Sequence, residues 1–359
     1  GYVVSNEKFF APIRDVVSMV KLKASYGLVG NDQIGGDRRF IYNETVIGGG
    51  KYYFGTTPSQ YTSVRLGEFP NPNVGWEKAK KLNLGADLSF FNQLNISVDY
   101  FKENREGIFL QRKSIPMYVG LSTKPWVNIG KMRNSGIDAS LEYHQPLGKD
   151  LHLTVRGNFT YARNRIMDQD EPDYAYTYMN HSGQMQWQKF GLVAAGLFQD
   201  QEDIDSWAKQ SFGEVKPGDI KYLDLNGDGI VDNYDTKPIG YSDIPEIVYG
   251  FGFSLQWKAF DLSAFFQGVA HVSFSTLTDQ TQAFVGRNLK ESSVFADLYG
   301  NTWTPENPGA KYPRMTTGAI DNNNQLSTFW MANGRYLRLK NLELGYTLPK
   351  RWTSKLHIT

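Results

Sequence analysis

The chain has 359 residues, enough for a large core or more than one domain. A formal charge of +1 with no basic run argues against a nucleic-acid partner, and the absence of cysteine excludes disulfides, thiolate metal sites and cysteine nucleophiles. No apolar stretch approaches the roughly 18 residues of a membrane helix, yet aromatics reach 14% and glycine is abundant. A transmembrane β-barrel hides its hydrophobicity in this way, because each strand is apolar only at alternate residues.

Residues 1–19 offer little beyond a turn into a strand. Val20, Leu22, Ala24 and Tyr26 then alternate on one face. Residues 28–75, rich in Gly, Asn, Asp, Thr and Pro, read as a long loop with short embedded strands. A hairpin follows. Leu82, Leu84, Ala86, Leu88 and Phe90 turn near Phe91-Asn-Gln93 into Leu94, Ile96, Val98 and Tyr100. Asp87 and Asp99 fall on the opposite face, which is a wet lumen in a barrel and open solvent in a sandwich; periodicity alone does not choose. A strand around residues 108–111 leads to an exposed connection containing Pro116 and Pro125. Ile137, Ala139, Leu141 and Tyr143 pair with Leu151, Leu153, Val155, Phe159 and Tyr161. Strands of roughly nine to eleven residues exceed the globular five or six and suit a tilted membrane strand.

Residues 163–185 are polar and carry Tyr174, Tyr176 and Tyr178 at alternate positions. That row suits a carbohydrate platform, a strand face or an aromatic belt equally. Residues 190–198 read as a strand leading outward. A short helix is expected over 201–210, capped by Asp200. The stretch Asp224-Leu-Asn-Gly-Asp-Gly-Ile-Val-Asp-Asn-Tyr-Asp235 comes next. It sets side-chain oxygens from Asp224, Asn226, Asp228, Asp232 and Asp235 at loop positions 1, 3, 5, 9 and 12, with Gly229 at 6 and the Ile230 carbonyl at 7. This is the ligand plan of a hard-cation loop, EF-hand-like or dockerin-like, with Ca²⁺ in a structural role. Asp235 departs from the plan, since a bidentate Glu usually closes it. An Asx-rich turn without metal is the competing reading.

Beyond the loop, Tyr249, Phe251, Phe253, Leu255 and Trp257 turn at Lys258-Ala259 into Phe260, Leu262, Ala264 and Phe266. Residues 271–330 read mostly as loop. Two last strands are expected, over 335–339 and over Leu342, Leu344, Tyr346 and Leu348. At least ten strands therefore alternate between short turns and long loops, with no βαβ pattern.

Several phrases occur together and in order: Asn73-Val-Gly-Trp-Glu-Lys78, Asn83-Leu-Gly-Ala-Asp87, Asn134-Ser-Gly-Ile-Asp138, Gly218-Asp-Ile-Lys-Tyr-Leu-Asp224, Trp303-Thr-Pro-Glu-Asn-Pro308, Tyr336-Leu-Arg-Leu-Lys-Asn-Leu342 and Gly345-Tyr-Thr-Leu-Pro349. The set resembles the SusC/RagA-type TonB-dependent outer-membrane transporters of the Bacteroidota. The resemblance implies an all-β antiparallel transmembrane barrel of 22 strands in the complete protein, with a plug and a TonB-contacting segment in its N-terminal part. It also implies a SusD-like surface lipoprotein partner, oligosaccharide or peptide import, and contact with outer-membrane lipid. On that basis residues 1–359 are an incomplete barrel domain, and residues 200–245 an extracellular loop insertion carrying the 224–235 cation loop.

Two other classes compete. An enzyme would need a paired motif, but the five histidines are scattered and no nucleophile elbow or phosphate loop occurs. A secreted or surface β-rich carbohydrate-binding or adhesion module with a calcium-ordered loop is the other, and strand length argues against it. For substrate contact the candidates are Tyr174, Tyr176, Tyr178, Trp187 and Trp303, whose rings offer stacking faces; each also fits a girdle or packing role.

Overall fold

The computed structural model describes residues 1–34, 40–56, 59–121, 123–278, 294, 296–316 and 318–354. Parts of the loops expected over 28–75 and 271–330 lie outside these residues. The described chain divides into two compact units. One comprises residues 1–173, 247–268 and 337 onward; the other comprises Tyr174–Glu246 and Val269–Tyr336.

The first unit is a nine-stranded sheet whose spatial order is the chain order. Its strands are β1 (Tyr2–Val3), β2 (Val17–Asn31), β3 (Glu77–Phe90), β4 (Leu94–Gln111), β5 (Trp126–Pro146), β6 (Leu151–Asp168), β7 (Ile247–Trp257), β8 (Phe260–Ala270) and β9 (Tyr336–Tyr346). Every register-resolved pair is antiparallel. The meander follows from the turns. Phe91 and Asn92 both adopt positive φ, 53° and 55°, and so turn the chain through the three-residue connection that closes the β3–β4 hairpin. Lys258, at φ 53°, likewise turns the chain between β7 and β8.

Several strands run longer than alternation alone indicates. Residues 108–111 are the end of β4, carried past a bulge where Gly107 sits at φ 70°. The two strands expected near the end are one strand, β9. Neither Lys340 nor Asn341 turns to positive φ, so the backbone passes straight through. Within the 28–75 segment, Val46–Phe54 and Ser59–Leu66 form a separate hairpin.

Register gives the sheet two unlike faces. On one, Leu88, Ile96, Leu141 and Phe251 occupy a row, with Ala86, Val98, Ala139, Phe159 and Tyr249 in the next. Large apolar side chains here stay open: Val98, Tyr100, Ile137, Leu141, Phe159 and Phe251 are all exposed. The nine residues 153–161 of β6 place Leu153, Val155, Gly157, Phe159 and Tyr161 on this band, and nine residues is the length that crosses hydrocarbon at a steep tilt. The opposite face is polar. Lys23 Nζ stands 2.6 Å from Asp87 and 3.1 Å from Asp99, and the Ser97 hydroxyl donates to Asp87 at 2.7 Å. Arg156 meets Glu142 at 3.1 Å. Asp87 and Asp99 thus sit on the polar face, as the alternation indicates.

The second unit has its own core. Leu192, Leu197, Ile220, Tyr222, Val231, Trp303 and Trp330 are buried together. Leu192, Leu197, Ile220, Tyr222 and Val231 come from the 174–246 segment and the two tryptophans from the later one, so the core exists only when both segments are present. Residues 200–245 lie inside this larger unit.

Candidate functional site in the loop unit

The acidic turn is built on short elements of the second unit. Asp200 accepts from the Asp203 backbone N–H at 2.8 Å and caps a helix over Gln201–Asp205, shorter than the ten residues allotted to it. Lys209–Gln210 then forms a parallel pair with Ile230–Val231. Lys221 links the helix to the adjoining strand. It lies 2.8 Å from Asp203, and its ammonium sits 4.4 Å from the Trp207 ring centroid. Burial works against the Asp203 charge, but the Lys221 ammonium and the Gln199 N–H outweigh it and hold this carboxyl below the usual range.

Within 224–235 the carboxylates order their own backbone. Asp224 accepts from the N–H groups of Gly227 (2.6 Å) and Gly229 (2.8 Å), Asp228 from Ile230 (2.8 Å) and Asp232 from Tyr234 (2.7 Å). Asn226 accepts from Asp228 N–H at 2.9 Å. Asp235 is fully buried and accepts from Leu225 at 2.7 Å and from Asp232 at 2.8 Å. Gly227 and Gly229 take φ of 78° and 85°, where a side chain is strained. The carbonyls of Gly229 and Val231 are bound by Lys209 and Ser211, so strand alternation turns the Ile230 carbonyl the other way. The carboxylate oxygens of Asp224, Asp228 and Asp232 each retain a second lone pair, whereas Asp235 Oδ1 accepts from both Leu225 and Asn226 N–H. Among the described residues no three His, Asp or Glu side chains converge to hold an ion.

An aromatic cluster adjoins this turn. Tyr176 and Tyr178 stack at 5.4 Å with planes 4° apart, and Tyr234 of the turn meets Tyr176 edge-on at 6.2 Å. The Tyr178 hydroxyl donates to the Tyr234 carbonyl at 2.7 Å. Burial raises the Tyr178 phenol, and the charges of Asp235, Asp224 and Asp228 raise it further, so it stays a donor at neutral pH. Tyr174 lies 6.0 Å from His181, which stacks on Phe190 at 3.9 Å. Trp187 is exposed and held at φ 60°. Trp303 is different: at 9% exposure it is part of the core, where the Gly218 backbone packs against its indole, and it offers no face to a ligand.

Sequence reading missed the centre of this unit. Asp219 is fully buried and meets Arg314 at 2.8 Å, accepts from Asn323 at 2.9 Å and from the Lys216 N–H at 2.8 Å. The Arg314 Nε contact is an ion pair outside hydrogen-bond angles; its Nη2 donates to Asp219 at 3.0 Å. Nothing in the spacing joins residues nearly a hundred positions apart. The histidines do not assemble either: His271 stacks on Tyr241 at 4.6 Å and meets Glu246 at 3.1 Å, while His144 is near Glu142 in the other unit.

The family model for the TonB dependent receptor-like β-barrel matches residues 21–358. The chain belongs to the TonB-dependent receptors. TonB-dependent receptor P3 of Formosa agariphila is 28% identical to this receptor chain over 95% of its length, and TonB-dependent receptor SusC of Bacteroides thetaiotaomicron is 24% identical over 99%. These matches cover 33% and 34% of the relatives, so the receptor chain spans about a third of their length. Among solved structures, the RagAB peptide importer in its open-open state shares the fold, with a TM-score of 0.71 over 98% of this chain and 36% of that one, at 22% identity. The SusC/RagA resemblance is thereby met. The receptor is a protein of the outer membrane, and its family comprises transporters, not enzymes.

Proposed function

We propose that this receptor chain is part of a TonB-driven importer of oligosaccharides or peptides across the outer membrane. The observation that carries the reading is the family match across residues 21–358, joined to a sheet with one open apolar face and one charged face. In the complete protein the nine strands belong to a closed 22-stranded barrel, with the apolar band toward lipid and the Lys23–Asp87–Asp99 face toward the lumen. A SusD-like lipoprotein and TonB are its partners. The likeness to a structure described as a peptide importer favours peptides, and that to SusC leaves oligosaccharides open. Tyr174, Tyr176, Tyr178 and Trp187 are the proposed substrate contacts; Trp303 is withdrawn because it is core. Cells carrying the full-length receptor are expected to accumulate labelled peptides or oligosaccharides until a protonophore is added, and cells with the gene deleted are not. Equal accumulation of both ligand classes in deleted and intact cells overturns the proposal.

We also infer that the 224–235 turn takes a structural Ca²⁺. Support comes from the ligand spacing, the two left-handed glycines and the lone pairs left on Asp224, Asp228 and Asp232. Binding requires those side chains to draw together, with the Ile230 carbonyl as a further ligand and Asp235 reaching inward. Calorimetric titration with calcium chloride is expected to give a saturable heat that disappears in Asp228→Ala. Identical heats in the two proteins defeat the reading.

A further inference from the structure

The core of the loop unit is not closed on every side. Residues from 298–302, 312–316, 318–320 and 323–330 line a cavity of about 50 Å³. Leu298, Thr302, Asn323 and Trp330 are buried and form its floor, while Met315, Gly318 and Ala319 are exposed and form its rim. Size limits what can enter. This volume is several times the roughly 10–15 Å³ that one ordered water needs, and about a third of the roughly 150 Å³ that accepts a benzene ring. The guest is therefore a group of a few heavy atoms, not a sugar ring or an aromatic side chain.

The lining narrows the chemistry. Leu298, Pro313, Ile320 and the Trp330 ring are apolar walls, and the Trp330 indole N–H is committed to the Asn323 carbonyl at 2.7 Å. Thr316, Tyr312 and Asn323 direct polar atoms at Gly318, Asp297 and Asp219. Three lining groups keep capacity. Arg314 turns Nε and Nη2 toward Asp219, and its Nη1 donates to no described residue. The Thr302 hydroxyl and the Asn324 carboxamide also bond to no other described residue. Apolar walls with a few polar groups between them are the composition of a small-molecule site. Charge then separates an anion from a neutral guest. Among the described residues that line the cavity, Arg314 is the one charged group, and the fully buried Asp219 already neutralises it. An incoming carboxylate would share that cation with Asp219 and leave a net negative charge in enclosed surroundings, which is unfavourable. A neutral acceptor takes the Nη1–H without that penalty.

We propose that this cavity binds a neutral amide group on a short apolar stub. The amide carbonyl takes the Arg314 and Asn324 donors, its N–H the Thr302 hydroxyl, and its methyl end the Leu298 and Ile320 wall. The acetamido group of an N-acetylated amino sugar and an acylated peptide unit share this chemistry. Which of them supplies it rests on the import reading above; that the pocket takes an amide does not.

The full-length receptor in neutral detergent, with no TonB and no energy source, is probed by saturation-transfer NMR with the diacetylated glucosamine disaccharide and with N-acetylalanine methylamide. At least one probe is expected to show its strongest transfer at the acetyl methyl, and the one that does so identifies the source. Acetamide is expected to displace it, and acetate, equal in size but charged, is not. Ala319→Phe fills the mouth from the exposed rim and is expected to abolish the signal. Asn324→Ala removes one neutral hydrogen bond and weakens binding about fivefold. Hydrogen exchange at Ile220 and Tyr222 stays at the wild-type rate in both variants, showing an intact core. Absence of transfer to either acetyl group overturns the proposal, and so does displacement by acetate as readily as by acetamide; neither outcome needs a variant to fold. A signal that Ala319→Phe leaves unchanged also overturns it. Uptake enters none of these readouts, so a wrong import assignment leaves the result standing.

Discussion

At the scale of single residues, the loop unit depends on groups that have no room to change. Asp219 is enclosed and carries the Arg314 charge, the Asn323 amide and the Lys216 N–H. Asp219→Ala strands the guanidinium and is expected to cost about 3 kcal/mol, read as faster hydrogen exchange at Ile220 and Tyr222 with the sheet unchanged. Gly218 sits at φ 88°, and a Cβ there would fall 2.4 Å from the Trp303 ring, so Gly218→Ala should loosen the same amides. The Asp203 carboxyl has its folded-state value below the unfolded one. The Lys221 pair therefore contributes fully above the unfolded value of about 3.9 and loses its contribution as pH falls through the lower folded value. Lys221→Met should abolish this acid-dependent loosening of the Gln201–Asp205 helix in an exchange series from pH 6 to pH 3; an unchanged pH profile in the variant would remove the pair from the account. None of these residues was legible in the sequence. Asp219 stands inside a family phrase, but its partners come from a segment a hundred residues later.

At the scale of elements, the strands were legible wherever two-residue periodicity ran uninterrupted. Leu82 to Phe90 and Leu94 to Tyr100 lie in the paired strands and share the face that alternation assigned to them. Strand ends were not legible, because β4 and β5 continue for several turns of the pleat into polar sequence, where no apolar alternation marks them. Pairing is sustained there by ladder hydrogen bonds and by charge pairs such as Lys80–Glu106. The β9 leucines misled for a physical reason: 337 and 339 fall on one face and 342 and 344 on the other, and the change of parity resembles a turn. Close approach matters more than composition in the middle of the sheet. A Cβ on Gly136 would meet the Tyr161 carbonyl oxygen at 2.0 Å and the Ala162 Cα at 2.9 Å, both backbone of the next strand. Gly136→Ala is expected to destabilise the β5–β6 pairing by about 1–3 kcal/mol, seen as a lower temperature for the loss of heat-modifiable mobility in gels. Gly27, whose Cβ would meet nothing within 4 Å, is the matched control.

At the scale of the whole molecule, the band of open leucine, valine and aromatic side chains would be an aggregation hazard on a water-soluble protein. The full-length receptor should accordingly stay with the membrane pellet through a carbonate wash, and release into the supernatant would favour the secreted binding module instead. Family and location could be read from ordered phrases and strand length; the loop unit could not, because its core is shared between two segments that each look like irregular loop. That sharing has a consequence for how the protein is made. In a meander each strand needs only the hairpin before it as a template, so the sheet can be laid down in the order of synthesis. The loop unit cannot follow that order. Leu192 and Ile220 leave the ribosome with no indole to cover them, and Trp303 and Trp330 arrive only after β7 and β8 have been added. During that interval the first segment remains an exposed, half-built core. Whatever escorts the chain has to shelter residues 174–246 for longer than any strand, and a truncation ending after β8 should be recognised as misassembled even though every strand up to that point has found its neighbour.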